Sequence, residues 1–126
     1  MHRSRLSSLI IDCKSPDIEA ASRFWSAAIG RPVVPPTSDL EDTYRELETT
    51  GDELIIMVQR VDHESRVHLD IETDDIEAEV ARLEALGAKK IAYVKRWWVM
   101  EAPTGQRFCV LKPQRGSLDT DANDWP

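Results

Sequence analysis

Two cysteines, Cys13 and Cys109, are all the chain holds, far apart and without a Cys-x-x-Cys partner. That excludes a disulfide framework and points to two reduced, half-buried thiols in a cytoplasmic protein. Long apolar runs are missing too. The basic opening "MHRSR" leads only into the short run "LII", too short for a secretory signal, and nothing approaches the roughly 20 apolar residues of a membrane span. No membrane association is expected. Positive charge is in deficit: 16 Lys and Arg against 23 Asp and Glu leave a net charge of −7. Such a surface repels a phosphate backbone, so nucleic acid is not an expected partner. A P-loop, a dinucleotide fingerprint and a nucleophile elbow are all absent, which removes the enzyme classes built on them.

A chain of 126 residues, 41% hydrophobic and 31% charged, reads as one soluble domain (1–126) large enough for a core. Within it the sequence repeats itself. "SPDIEAASRFWSAAIG" (15–30) and "TDDIEAEVARLEALG" (73–87) share Asp-Ile-Glu-Ala, a helical pattern and a closing glycine. Ile18, Ala21, Trp25 and Ala28 form one apolar stripe; Ile76, Val80, Leu83 and Leu86 form the other. Ser15 followed by Pro16 suggests one N-cap, and Asp74 with Glu77 suggests a capping box at the other. Gly30 and Gly87 suit left-handed C-caps.

The flanks repeat as well. "LSSLIIDC" and "RVHLDIE" precede the helices as strands. "RPVV", "TYRELETT" and "DELIIMVQ" follow the first; "KKIAYV", "RWWVMEA" and "RFCVLK" follow the second. Each half is therefore β-α-β-β-β, with module one at about 6–60, module two at about 66–113 and a polar tail at 114–126, where Trp125 is a docking anchor. "PPTSDLED" (35–42) is the longest internal loop. Its acids and the Asp-rich tail read as a solvated face, one also suited to attract a cationic small molecule.

This doubled pattern, the Phe24-Trp25 pair, "VHLDIETDDIEAEVARLEALGA" and the ending "APTGQRFCVL" together resemble the vicinal oxygen chelate superfamily of glyoxalase I, bleomycin-resistance proteins and extradiol dioxygenases. The triplet "HLD" and the ending "FCVL" look most like its glyoxalase-like domain branch. The resemblance implies an α+β fold: two βαβββ modules forming a cupped mixed sheet, with the helices on the convex side. It also implies a homodimer. Val67, Leu69 and Ile71 would pack under the helices. His68, Asp70 and Glu72 would face the concavity, Glu72 near its rim.

Metal-dependent members of that family take one ligand from the first and one from the last strand of each half. His68 stands at one such position, but Ile10 stands at its counterpart and Cys109 where a glutamate is usual. The remaining position falls among Glu53, Ile55, Met57 and Gln59. That donor set implies loss of the metal, with His68, Cys109, Gln59 and Glu53 as the fallback ligands. His68 has three readings: a general base, a polar handle beside Asp70, or a structural histidine. Cys109 reads first as a small buried residue. Trp97 and Trp98 face opposite sides of their strand, so one meets the helix layer and the other the cup or a subunit contact.

The expected function is binding of a small organic molecule in a metal-free cavity, lined by His68, Asp70, Gln59, Met57, Trp98 and Cys109. The alternatives are a metal-dependent or His68-based lyase, isomerase or dioxygenase, and a subunit that works through partner contacts.

Overall fold

The computed structural model describes residues 1–37 and 42–126; most of the acidic "DLED" stretch lies outside them. Among the described residues, two helices and eight strands in mixed parallel and antiparallel pairing make the fold α+β, as the family resemblance implied. Contacts divide the chain into two compact units, Ser8–Val67 and Met1–Ser7 with His68–Pro126.

In the unit Ser8–Val67, the later part of β1 (His2–Lys14) runs parallel to β3 (Ile55–Val61), and β2 (Tyr44–Leu47) pairs antiparallel with β3. The expected strand "RPVV" shrinks to a single bridge, Val33 to Leu47. Pro32, Pro35 and Pro36 around it lack the N–H that a ladder needs. Helix α1 (Ile18–Ile29) lays Ile18, Ala21 and Trp25 on Leu47, Val58 and Ile56, three of the four stripe residues read from the sequence; the fourth, Ala28, is exposed near the helix end. Its N-cap is Asp17, not Ser15: the Asp17 carboxylate accepts from the backbone N–H groups of Glu19 and Ala20. A carboxylate at this position also meets the positive end of the helix dipole. Gly30 closes α1 at φ +81, where any side chain would be strained.

In the other unit, β4 (Arg66–Thr73) runs parallel to β7 (Arg107–Leu111). Next to β7 come β6 (Trp97–Glu101) and then β5 (Lys89–Val94), each antiparallel to its neighbour. Helix α2 (Ile76–Ala85) sets Val80 and Leu83 on Met100 and Val110, with Ile71, Ile76, Trp98 and Phe108 around them. Asp75 rather than Asp74 is its N-cap, accepting from Ala78 N–H. Leu86, expected on the buried stripe, lies past the helix end and is 66% exposed.

The strand β1 starts earlier than its apolar core suggests. Its first residues pair antiparallel with β8 (Asn123–Trp125), so the polar tail ends in a strand. Trp125 docks there: its Nε1 donates to Ser4 Oγ at 2.8 Å, and the Arg82 guanidinium stacks 3.8 Å from its ring centre.

Candidate functional site

The alternation of β4 determines what the site can be. Expected under the helix, Val67 and Leu69 are instead 53% and 43% exposed, and only Ile71 reaches the core under α2. The polar residues on the opposite face are the shielded ones. The side chains of His68 and Asp70 are 14% and 13% exposed, and that of Glu72 is fully buried.

Glu72 belongs to the scaffold rather than to an open face or its rim. Arg5 Nε donates to its carboxylate at 2.6 Å, and the backbone N–H groups of Gln114 and Arg115 donate at 2.6 and 3.0 Å. Arg5 in turn donates to the carbonyls of Arg115 and Thr120. A buried ion pair thereby fastens the tail to its unit.

His68 and Asp70 differ from it. His68 Nε2 stands 3.5 Å from Asp70 Oδ1, long for a hydrogen bond. Asp70 Oδ1 is itself buried without a hydrogen-bond partner. The parallel register sets Asp70 opposite Cys109 on β7, and donor atoms of His68, Asp70 and Cys109 all lie within 4.8 Å of one another. Among the described residues no other cluster of His, Cys, Asp and Glu has this geometry. Asp70 was absent from the fallback metal set, because only the β4–β7 register reveals that it faces Cys109.

The two tryptophans separate as the strand requires, but not in the expected direction. Trp98 pairs with Val110 and packs on the helix-side core, so it is not on the face of His68. Trp97 is two residues from Val99, which opposes Cys109. It therefore shares a face with His68 and Asp70.

Gln59, Met57 and Glu53 belong to the unit Ser8–Val67. Gln59 Nε2 donates to Tyr44 Oη at 3.1 Å, and Met57 sits half-buried between Ile10 and Glu46. Glu53 precedes β3 instead of lying on it. It takes Arg31 at 2.5 Å, and hydrogen bonds from the Thr50 backbone and hydroxyl hold its carboxyl below the usual range. Asp12 occupies in β1 the place Asp70 has in β4 of the repeat, and it too is buried, with Oδ2 3.9 Å from Arg66 Nε. Aligning "IIDCKSPDIEA" on "HLDIETDDIEA" reveals that correspondence. Cys13 packs on the α1 core, and burial pushes its thiol up. Two surface depressions of this unit, about 540 and 470 Å³, are lined by residues 30–32 with 48–50 and by residues 14–16 with 60–62, and contain none of the predicted site residues.

Residues 8–111 match the family model described as "Glyoxalase-like domain". The chain belongs to the glyoxalase-like domain family. Among solved structures it is similar to the Mn(II)-bound glyoxalase from Novosphingobium aromaticivorans, at 19% identity and a TM-score of 0.59 over 92% of this chain. It spans only 44% of that protein's length. It is also similar to methylmalonyl-CoA epimerase from Mycobacterium tuberculosis, at 16% identity and TM-score 0.58, over 86% of this chain and 87% of that one. A glyoxalase/bleomycin resistance protein/dioxygenase superfamily member from Vibrio splendidus matches at 19% identity and TM-score 0.53, over 85% and 98% of the two chains. At these identities the likeness concerns the fold. No curated protein matches the chain.

Proposed function

We propose that this glyoxalase-like chain binds a small organic molecule without a metal, through the polar face that carries His68 and Asp70. One observation carries the reading: a buried carboxylate oxygen, Asp70 Oδ1, has no hydrogen-bond partner. Leaving such an atom unpaired is costly, and an N–H or O–H donor on a ligand would satisfy it. His68 supplies a second polar contact, and Trp97 on the same face supplies a flat apolar one.

The donor set bears on the metal. The Mn(II) named in the Novosphingobium structure favours oxygen ligands, and here one carboxylate is joined by an imidazole and a thiol. That set fits Mn(II) poorly. It fits a zinc-type ion better, because zinc takes nitrogen, sulfur and oxygen together. A second reading follows from that cluster: His68, Asp70 and Cys109 hold such an ion, which would polarise a substrate oxygen when bound.

Elemental analysis of untagged protein, re-exposed to Zn, Mn, Fe, Ni and Co and then desalted, separates the two. Near-stoichiometric retention that Asp70→Asn and Cys109→Ser each remove overturns the metal-free reading. With no metal retained, a ligand screen by tryptophan quenching follows. A hit weakened by Asp70→Asn supports the proposal, and a hit indifferent to Asp70→Asn and His68→Ala places binding elsewhere.

A further inference from the structure

We propose that the β5–β6 hairpin is a docking surface for a partner protein that offers an acidic strip with apolar residues at its centre. The inference does not depend on the His68 site.

The strand β5 ends the order β4-β7-β6-β5, and each of its residues is exposed. Lys89 and Lys90 lie on it, Lys95 and Arg96 form its two-residue turn, and no acid occurs between Ala88 and Met100. In a chain of net charge −7 this is a local reversal of sign. The four cations make no ion pair among the described residues. Lys90 and Lys95 rest only over the rings of Trp98 and Trp97, at 4.9 and 6.0 Å.

Two further features separate the hairpin from an ordinary solvated lysine face. Lys95 takes φ +53 as the first turn residue, a conformation that glycine or asparagine adopts with less strain. The turn thus displays a cation where a less strained residue would close the same hairpin. Exposed apolar residues lie between the charged ones along the strand: Ile91, Tyr93 (56% exposed) and Val94. An apolar centre with a charged rim is the composition of a protein interface.

The occupant follows from what the hairpin opposes. Pairing of β5 with β5 of a second copy would bring Lys89, Lys90, Lys95 and Arg96 against their own kind, and the irregularity between Lys90 and Ala92 breaks the edge ladder. Nucleic acid or an anionic membrane would extend past the hairpin onto a chain that is otherwise more acidic than its net charge. A polypeptide with a localised acidic strip meets four cations against one acid of the hairpin, Glu101 opposite Lys89, and its apolar side chains cover Tyr93.

The probe is a soluble peptide of about a dozen residues alternating Glu and Leu, with the same peptide carrying Lys in place of Glu as its control. Binding is followed by tryptophan and tyrosine fluorescence and by amide shifts on the full chain. We expect the Glu peptide alone to bind, with shifts confined to about residues 86–98. Lys95→Glu with Arg96→Glu should weaken it at least about ten-fold, as should raising salt from about 50 to about 500 mM. Lys95→Gly keeps the turn and serves where the double reversal fails to fold; it should weaken binding by about three-fold. Equal binding of both peptides, shifts elsewhere, or indifference to both variants overturns the proposal. So does dimerisation that the charge reversal abolishes, which would make a second copy the occupant. Heparin or anionic vesicles binding where the Glu peptide does not would overturn it as well.

Discussion

His2 Nε2 lies 2.7 Å from Glu79 Oε1, joining the start of β1 to the buried face of α2. Arg82 completes the arrangement, donating to both Glu79 oxygens at 2.8 and 2.7 Å. Burial opposes ionisation of Glu79, but hydrogen bonds from Arg82, His2 and Ser4 outweigh it and hold the carboxyl below its ordinary value. A carboxylate depressed on folding stabilises the protein above its unfolded pKa, and that contribution is lost as pH falls through the folded one. Stability should therefore drop as pH goes below about 4.3, the ordinary glutamate value. Acid titration followed by circular dichroism checks it. In Glu79→Gln the drop should be smaller, and at pH 7 that variant should be destabilised by about 3 kcal/mol, because His2 and Arg82 lose their charged partner. An unchanged acid midpoint in Glu79→Gln would sink this account.

The Arg5–Glu72 pair predicts how the tail is held. Both side chains are almost wholly shielded, and the Glu72 carboxylate also takes two backbone N–H groups of the tail. Glu72→Gln leaves a buried guanidinium without its counter-charge and should cost about 3–5 kcal/mol in chemical denaturation. Proteolysis at low protease should then cut first after Lys112 or Arg115. Stability within about 0.5 kcal/mol of wild type would show that the pair does not anchor the tail.

Much of this architecture was legible because two periodicities repeat. The stripe at Ile18, Ala21 and Trp25 and the two-residue period from Val67 to Glu72 depend on local geometry, which a sequence encodes directly, but which face of β4 is covered is not local, and Val67 and Leu69 lie exposed. What escaped depends on partners distant in sequence. Glu72 looked like a cavity residue until Arg5 and the tail reached it. Trp97 and Trp98 could not be told apart because one residue of register decides which meets α2. Asp70 entered the donor count only when β4 lay beside β7. The start of β1 is illegible for the same reason: His2 and Ser4 are polar, and their burial is explained by Glu79 and Trp125.

Core packing beneath α2 gives a conventional test. Leu83 and Val80 sit on Met100 and Val110, both fully buried. Leu83→Ala should cost about 2–5 kcal/mol by lost transfer energy and the cavity left behind. Leu86→Ala, on a side chain left mostly exposed, should stay within about 0.5 kcal/mol. Urea midpoints of the two variants, measured side by side, check the helix end. Equal losses would return Leu86 to the buried stripe.

The turn at Lys95 and Arg96 makes the last prediction. A left-handed φ at a residue with a Cβ costs roughly 1–2 kcal/mol, whereas glycine adopts it freely. Glycine also gives the unfolded chain more freedom, which offsets part of the gain by about 0.4–1 kcal/mol. Lys95→Gly should therefore be neutral or stabilise the chain by up to about 1.6 kcal/mol, and Lys95→Val should destabilise it, since a β-branched residue tolerates this conformation least. Thermal melts of both variants measure the difference. If Lys95→Gly is destabilised as far as Lys95→Val, then the lysine side chain itself holds the turn, and its cation is structural rather than displayed for a partner.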